Sequence, residues 1–245
     1  MSFSILYQDA HFLAINKPPD ILVHKTKIAN QYNTSVVDML KTQLPKRAYP
    51  IHRLDRRTSG VLLFAFNTKE IPLVQKQFQD NSIEKKYVAI LRGYAAEEGF
   101  VDYAIKTELD PVLRPAQTSF RRLATTELPI PVSRYSTARY SLVELTPHTG
   151  RTHQLRRHAE HLRHPILGDR KYGDRHHNRM LNNHLNIYTM MLTAYRLVFT
   201  HPFTQERIAL HAPLHPDFLT LVTKWGWKPI VDSLMPPLSD SPPNG

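Results

Sequence analysis

The chain has 245 residues, 41% of them apolar, with 32 Lys and Arg against 21 Asp and Glu and no cysteine. That length and apolar fraction suit one large α/β or α+β domain or two small ones, and the lack of cysteine excludes disulfides, thiolate nucleophiles and Cys-ligated zinc. The net charge is +11 overall and +13 before Pro229, since the last 17 residues carry only Asp232 and Asp240, and a surplus of that size suits a phosphate-rich partner.

Residues 3–7 and 12–16 are short apolar runs that predict strands, with Lys17-Pro18-Pro19-Asp20 as the turn before residues 21–24. The first ten residues lack the basic and long apolar regions of a secretory signal. No run reaches the ~18 apolar residues of a membrane span, so a cytoplasmic location is expected. Thr34-Ser35 opens a helical pattern with Val36, Val37, Leu40 and Leu44 on one face, and Pro45 follows it.

Residues 52–60 read His-Arg-Leu-Asp-Arg-Arg-Thr-Ser-Gly and form a loop that feeds a buried strand over 61–66. Asp55 stands there among Arg53, Arg56 and Arg57, whose charges favour an ionised carboxylate. A plain ion-pair cluster would look the same. Thr68 can cap a helix that carries Ile71, Val74 and Phe78, with Pro72 in its first turn.

Further strands are predicted over 84–93, 101–106, 118–124 and 138–145, then over 190–199 and 207–210. Helices are predicted over 152–161, with Thr152 as cap, and over 216–225, with Phe218, Leu219 and Val222 inward. Strands dominate without regular strand–helix alternation, so the fold class expected is α+β with a mixed, largely antiparallel sheet. From Pro229 the sequence turns rich in Pro, Ser and Asp and reads as a mobile tail over 229–245.

The densest run spans 147–179, with eight Lys and Arg, three acids and seven of the chain's fourteen histidines. Backbone N–H groups at the helix start after Gly150, beside Arg151, make a candidate phosphate site. His158, His161 and His164 lack a carboxylate at ligand spacing, and nearby arginines repel a dication, so no metal is expected. These histidines are expected to contact phosphates of a nucleic-acid partner or to satisfy local backbone groups. Leu155 should face the core, whereas Arg156 and Arg157 point about 100° apart. Periodicity does not say which of the two turns into a cleft. With only 8 glycines there is no Gly-rich phosphate loop, so no nucleotide cofactor is expected.

Taken together, the 52–60 motif, Lys-Lys-Tyr-x-Ala at 85–89, Thr-Gly-Arg-Thr-His-Gln-Leu-Arg-x-His at 149–158 and His-Pro-Ile-x-Gly-Asp at 164–169 resemble the RluA-type family of RNA pseudouridine synthases, from about Ile5 to about Trp227. The resemblance implies one catalytic domain over 1–228 with helices and loops around a central active-site cleft. No S4 domain is expected ahead of it, because the first core strand starts near Phe3. It further implies that Asp55 is the catalytic aspartate, that Tyr87 stacks under the target uracil and can serve in proton transfer, and that Arg156 pairs with Asp55. Arg53 would replace the flipped base, and His52, Arg151, His153 and Gln154 are expected to bind RNA. The implied reaction breaks C1′–N1, rotates the base and joins C1′ to C5, without a cofactor. The carboxylate could attack C1′, stabilise charge there or take a proton from C2′.

Within the family, residues 156–169 and Gly-Asp-x-x-x-Asn-Arg at 173–179 are most similar to a tRNA-directed branch that modifies uridine 65 in the acceptor/T region. An rRNA-directed enzyme and a silent RNA-binding protein on the same scaffold are the competing readings. Three departures stand out: Asp20 and Gln205 occupy turn positions where glycine is usual, and Leu192-Thr193-Ala194 replaces Leu-His-Ala. Aspartate tolerates the left-handed region better than most residues, so the first turn can survive.

Overall fold

The computed structural model describes residues 2–25, 34–106 and 112–235. In chain order the elements are β1 (Ser4–Gln8), β2 (Phe12–Lys17), α1 (Val36–Gln43), β3 (Tyr49–Pro50), β4 (Ser59–Ala65), α2 (Ile71–Gln79), β5 (Glu84–Arg92), β6 (Glu98–Asp102), β7 (Gln117–Leu128), β8 (Ala138–Pro147), α3 (Gln154–His161), α4 (Arg175–Leu185), β9 (Leu192–Thr200), β10 (Arg207–His211), α5 (Pro216–Lys224) and α6 (Lys228–Leu234). They fall into two compact units. The first runs to Lys85 and resumes over Ala194–His215 and from Val231; the second takes Lys86–Thr193 and Pro216–Ile230. No described helix is long and apolar enough to cross a membrane.

In the first unit the strand order is β1-β2-β4-β9, with β3 beside β4 and β10 beside β9. β1 and β2, β2 and β4, β3 and β4, and β9 and β10 all pair antiparallel. Every residue of β4 is buried, which is why its sequence is apolar without alternation. Phe12, Ala14, Val61 and Leu63 line one face and pack with Val74 of α2 and with Leu197, Phe199 and Leu210. α1 starts as predicted: the Ser35 hydroxyl accepts from Asp38 N, and Val36 and Leu40 are buried. The cap before α2 is Asn67 rather than Thr68, because a 3-10 turn over Thr68–Glu70 precedes the helix and Asn67 Oδ1 accepts from Lys69 N.

The second unit orders its strands β5-β8-β7-β6, all antiparallel. Leu155 and Ala159 of α3 enter its core with Val143, Leu145 and Phe120. β7 extends beyond the predicted strand to Leu128, through a register shift between Arg122 and Ala124 that interrupts its alternation. On α5 the inward residues are Phe218, Leu221 and Val222, while Leu219 is exposed, so that expectation is corrected. Each unit is thus an antiparallel sheet with helices, the expected α+β class.

Two helices depart from the sequence reading. α4 went unpredicted because its eleven residues are mostly polar; Asp174 caps it by accepting from His176 N and His177 N, and only Met180 and Leu181 are buried. α6 occupies the start of the expected tail, where Val231 is buried. The remainder of that tail, 236–245, lies outside the described residues.

Candidate active site

In the first unit the Asp55 loop is fixed from below by a buried lysine. Lys17 ends β2 with no exposed surface, and its Nζ donates to Pro18 O (2.8 Å) and Arg56 O (3.0 Å). Burial drives its pKa down to about 7, opposed by the charges of Asp20 and Asp55. A turn bond from Thr58 N to Asp55 O (3.1 Å) closes the loop. Gly60 then enters β4 at φ 117°, so near Ala194 that a Cβ would lie 2.2 Å from its carbonyl oxygen.

Asp55 itself is half-buried. Of its neighbours, Arg56 and Arg57 reach Asp20, at 3.2 and 3.8 Å from its Oδ1. Asp20 adopts φ 63° and Gln205 φ 62°, so both non-glycine turn residues do take the left-handed conformation. Arg53 is exposed and has no ion-pair partner among the described residues.

His52 plays a different part from the one expected. Its Nε2 accepts from Leu63 N (3.1 Å), its ring lies against Phe78, and burial together with the Lys85 charge lowers its pKa to about 4. A neutral imidazole spent on the backbone braces the loop against β4 and is a poor phosphate ligand.

In the second unit Tyr87 lies on β5 opposite Leu145 and packs half-buried against the core. Arg156 is the arginine of the pair that turns inward: it is buried, whereas Arg157 is half-exposed and donates to Lys106 O. Asp169 clamps Arg156 in a fork, from Nε to Oδ2 at 2.6 Å and from Nη2 to Oδ1 at 2.9 Å. Burial alone would raise the pKa of Asp169, but the bonds and charge of Arg156, with Lys171 N and Tyr172 N, hold it below the ordinary carboxylate value. The Tyr172 ring lies 5.0 Å under the guanidinium, and its hydroxyl meets His153 Nδ1 at 3.1 Å. Asp169 ends the His-Pro-Ile-x-Gly-Asp motif, and nothing in its sequence spacing marks it as the partner of Arg156.

The start of α3 also differs from expectation. The cap position is His153 at φ 58°, not Thr152, and it makes no side-chain capping bond. Gln154 is buried, with every side-chain bond internal: Oε1 accepts from Thr149 Oγ1 and Arg151 N, and Nε2 donates to Gln117 O and Thr118 Oγ1. Gln154 therefore staples α3 to β7, and the Arg151 amide is bonded to it. Arg151 keeps an exposed side chain, with Nε on Pro115 O.

The histidine run disperses to backbone and aromatic partners. His158 bonds Thr118 Oγ1 and Tyr103 O, His161 stacks on Tyr103 at 3.9 Å, and His164 meets Arg92 O. Among the described residues no three potential metal ligands come together.

A family profile described as RNA pseudouridylate synthase matches residues 11–161. A tRNA pseudouridine synthase C from Pasteurella multocida (strain Pm70) is 45% identical over 237 residues, which cover 93% of this chain and 98% of that protein. Its counterpart from Haemophilus ducreyi is 44% identical over 236 residues, covering 93% and 97%. The solved structure of human RNA Pseudouridylate Synthase Domain Containing 1 aligns with a TM-score of 0.71 at 25% identity, over 100% of this chain and 97% of that one.

Proposed function

The chain belongs to the RNA pseudouridylate synthase family, and we propose that it isomerises uridine 65 in the acceptor/T region of tRNA to pseudouridine. The observation that carries this reading is the extent of its similarity: relatives named tRNA pseudouridine synthase C match 93% of the chain at 44–45% identity. Position 65 follows the tRNA-directed branch that residues 156–179 resemble.

In this reading Asp55 supplies the carboxylate that acts when the C1′–N1 bond breaks. The base turns, C5 bonds to C1′, the C5 proton leaves and N1 ends protonated. Atoms and electrons balance within the nucleotide, so no cofactor is consumed. Tyr87 offers its ring face to the uracil. Arg156, already oriented by Asp169, takes the role that the family resemblance assigns to it. Uridine 65 must leave its helix to react, and Arg53, exposed and without an ion-pair partner among the described residues, fills the gap it leaves. A cytoplasmic site of action accords with a tRNA substrate.

Incubation with unmodified tRNA and unmodified rRNA, followed by carbodiimide treatment and primer extension, tests the assignment. A stop at uridine 65 of tRNA is expected. Modification of rRNA alone would favour the rRNA-directed reading and remove this one.

A further inference from the structure

Arg170, Gly173, Arg175, Asn178, Arg179 and Asn182 surround an open recess of about 310 Å³ on the second unit. Other arginines of that unit are neutralised by acids, among them Arg92 by Asp174 at 2.6 Å, Arg122 by Glu97 at 3.2 Å and Arg139 by Glu127 at 3.2 Å, while Arg151 and Arg157 are spent on backbone carbonyls. Arg170, Arg175 and Arg179 have no carboxylate partner among the described residues. The adjacent acid, Asp174, is fully committed, with Oδ1 on the His176 and His177 amides and Oδ2 on Arg92. Arg175 makes one long bond, from Nε to His176 Nε2 at 3.4 Å.

Arg175 and Arg179 are also four apart on α4, where like charges destabilise a helix. Nothing within the described residues offsets that repulsion, whereas an anion in the recess would. The remaining lining is structural. Asn178 accepts from Gly168 N (2.8 Å) and donates to Asp169 O (2.7 Å). Gly173 is required because a Cβ there would lie 2.1 Å from Asp169 O. The amide nitrogen of Asn182, oriented to suit its neighbours, donates to Asn178 O (3.1 Å) and Ile187 O (2.6 Å). The recess is therefore built directly on the segment whose Asp169 clamps Arg156.

We propose that this recess is an anchoring subsite for the RNA backbone, with the guanidinium groups of Arg170, Arg175 and Arg179 taking phosphodiester oxygens. It rests on the reading of the chain as an RNA-modifying enzyme and adds to it the surface that grips substrate away from the reacting base. Guanidinium forks match phosphate oxygens in shape as well as charge. Because Asn178 and Gly173 tie the recess to Asp169, a phosphate seated there fixes the RNA relative to Arg156.

Fluorescence anisotropy with an end-labelled, unmodified tRNA transcript tests the subsite, using the unaltered protein, the triple variant Arg170→Ala/Arg175→Ala/Arg179→Ala and the corresponding triple Lys variant. The Ala variant should bind about 10-fold more weakly near physiological salt, and its plot of log affinity against log salt should be shallower by about 2 units. The Lys variant, which keeps the charges, should retain the slope. All three side chains are exposed and two of them repel on α4, so thermal melting should not fall. An Ala variant with unaltered affinity and slope overturns the subsite. Failure of the proposed activity is read separately, as absence of pseudouridine in tRNA treated with the unaltered protein.

Discussion

Two segments present the proposed chemical groups, and they hold their charges in opposite ways. Around Asp55, Arg56 and Arg57 reach the half-exposed Asp20 across 3.2 and 3.8 Å, while the backbone is pinned by Lys17. Around Arg156, a fully buried Asp169 grips the guanidinium through two bonds and is itself held by two backbone amides. The first arrangement is cheaper to alter at Asp20, because a carboxylate that is 44% exposed is screened by water even where its partner Arg57 is buried. The second is not, because removing one member strands a charge in the interior. Fold stability should therefore depend on the Arg156 clamp far more than on the charges beside Asp55.

The sharpest way to break that contrast is Asp169→Asn, which should cost about 3–5 kcal/mol in urea unfolding. A loss below about 1 kcal/mol would put the two segments on a par. Gly60→Ala should follow at roughly 3 kcal/mol, since the new methyl meets the Ala194 backbone at a left-handed φ. That loss would show the Asp55 loop to be held by its backbone rather than by its charges. Lys17→Met should cost about 1–3 kcal/mol by leaving the carbonyls of Pro18 and Arg56 without their donor.

His52 adds a pH dependence to the loop. The unfolded chain protonates this ring near 6.5 and the folded chain only near 4, so between those values the unfolded state binds more protons. Its contribution is complete above pH 6.5 and is lost as pH falls towards 4; His52→Gln should flatten the stability profile across that window. The smallest effect belongs to Asp20→Gly. Loss of the contacts from the exposed Asp20 carboxylate to Arg56 and Arg57 and relief of the left-handed backbone offset one another, leaving a change within about 1 kcal/mol.

The sequence disclosed elements wherever apolar spacing and caps agreed. Ser35 and Pro45 bracket α1, and the apolar run before Phe66 marks β4. It concealed α4, whose buried contacts are two residues in a polar stretch. The motifs single out Asp55, Tyr87 and Arg156, and helix geometry alone leaves Arg156 and Arg157 equivalent. What a polar side chain does after folding was less legible. His52 and Gln154 stand in motifs shared with RNA enzymes, yet both turn to nearby backbone, a choice set by tertiary packing. The departures at Asp20 and Gln205 were readable because a positive φ is a local demand that a short turn imposes.

The central claim is that Asp55 performs the chemistry while RNA is gripped elsewhere. Its most direct test compares Asp55→Asn with the unaltered protein on unmodified tRNA, measuring affinity and pseudouridine formation in the same samples. The account predicts affinity within about threefold and turnover reduced on the order of 10³-fold or more. Retained turnover in Asp55→Asn would contradict it.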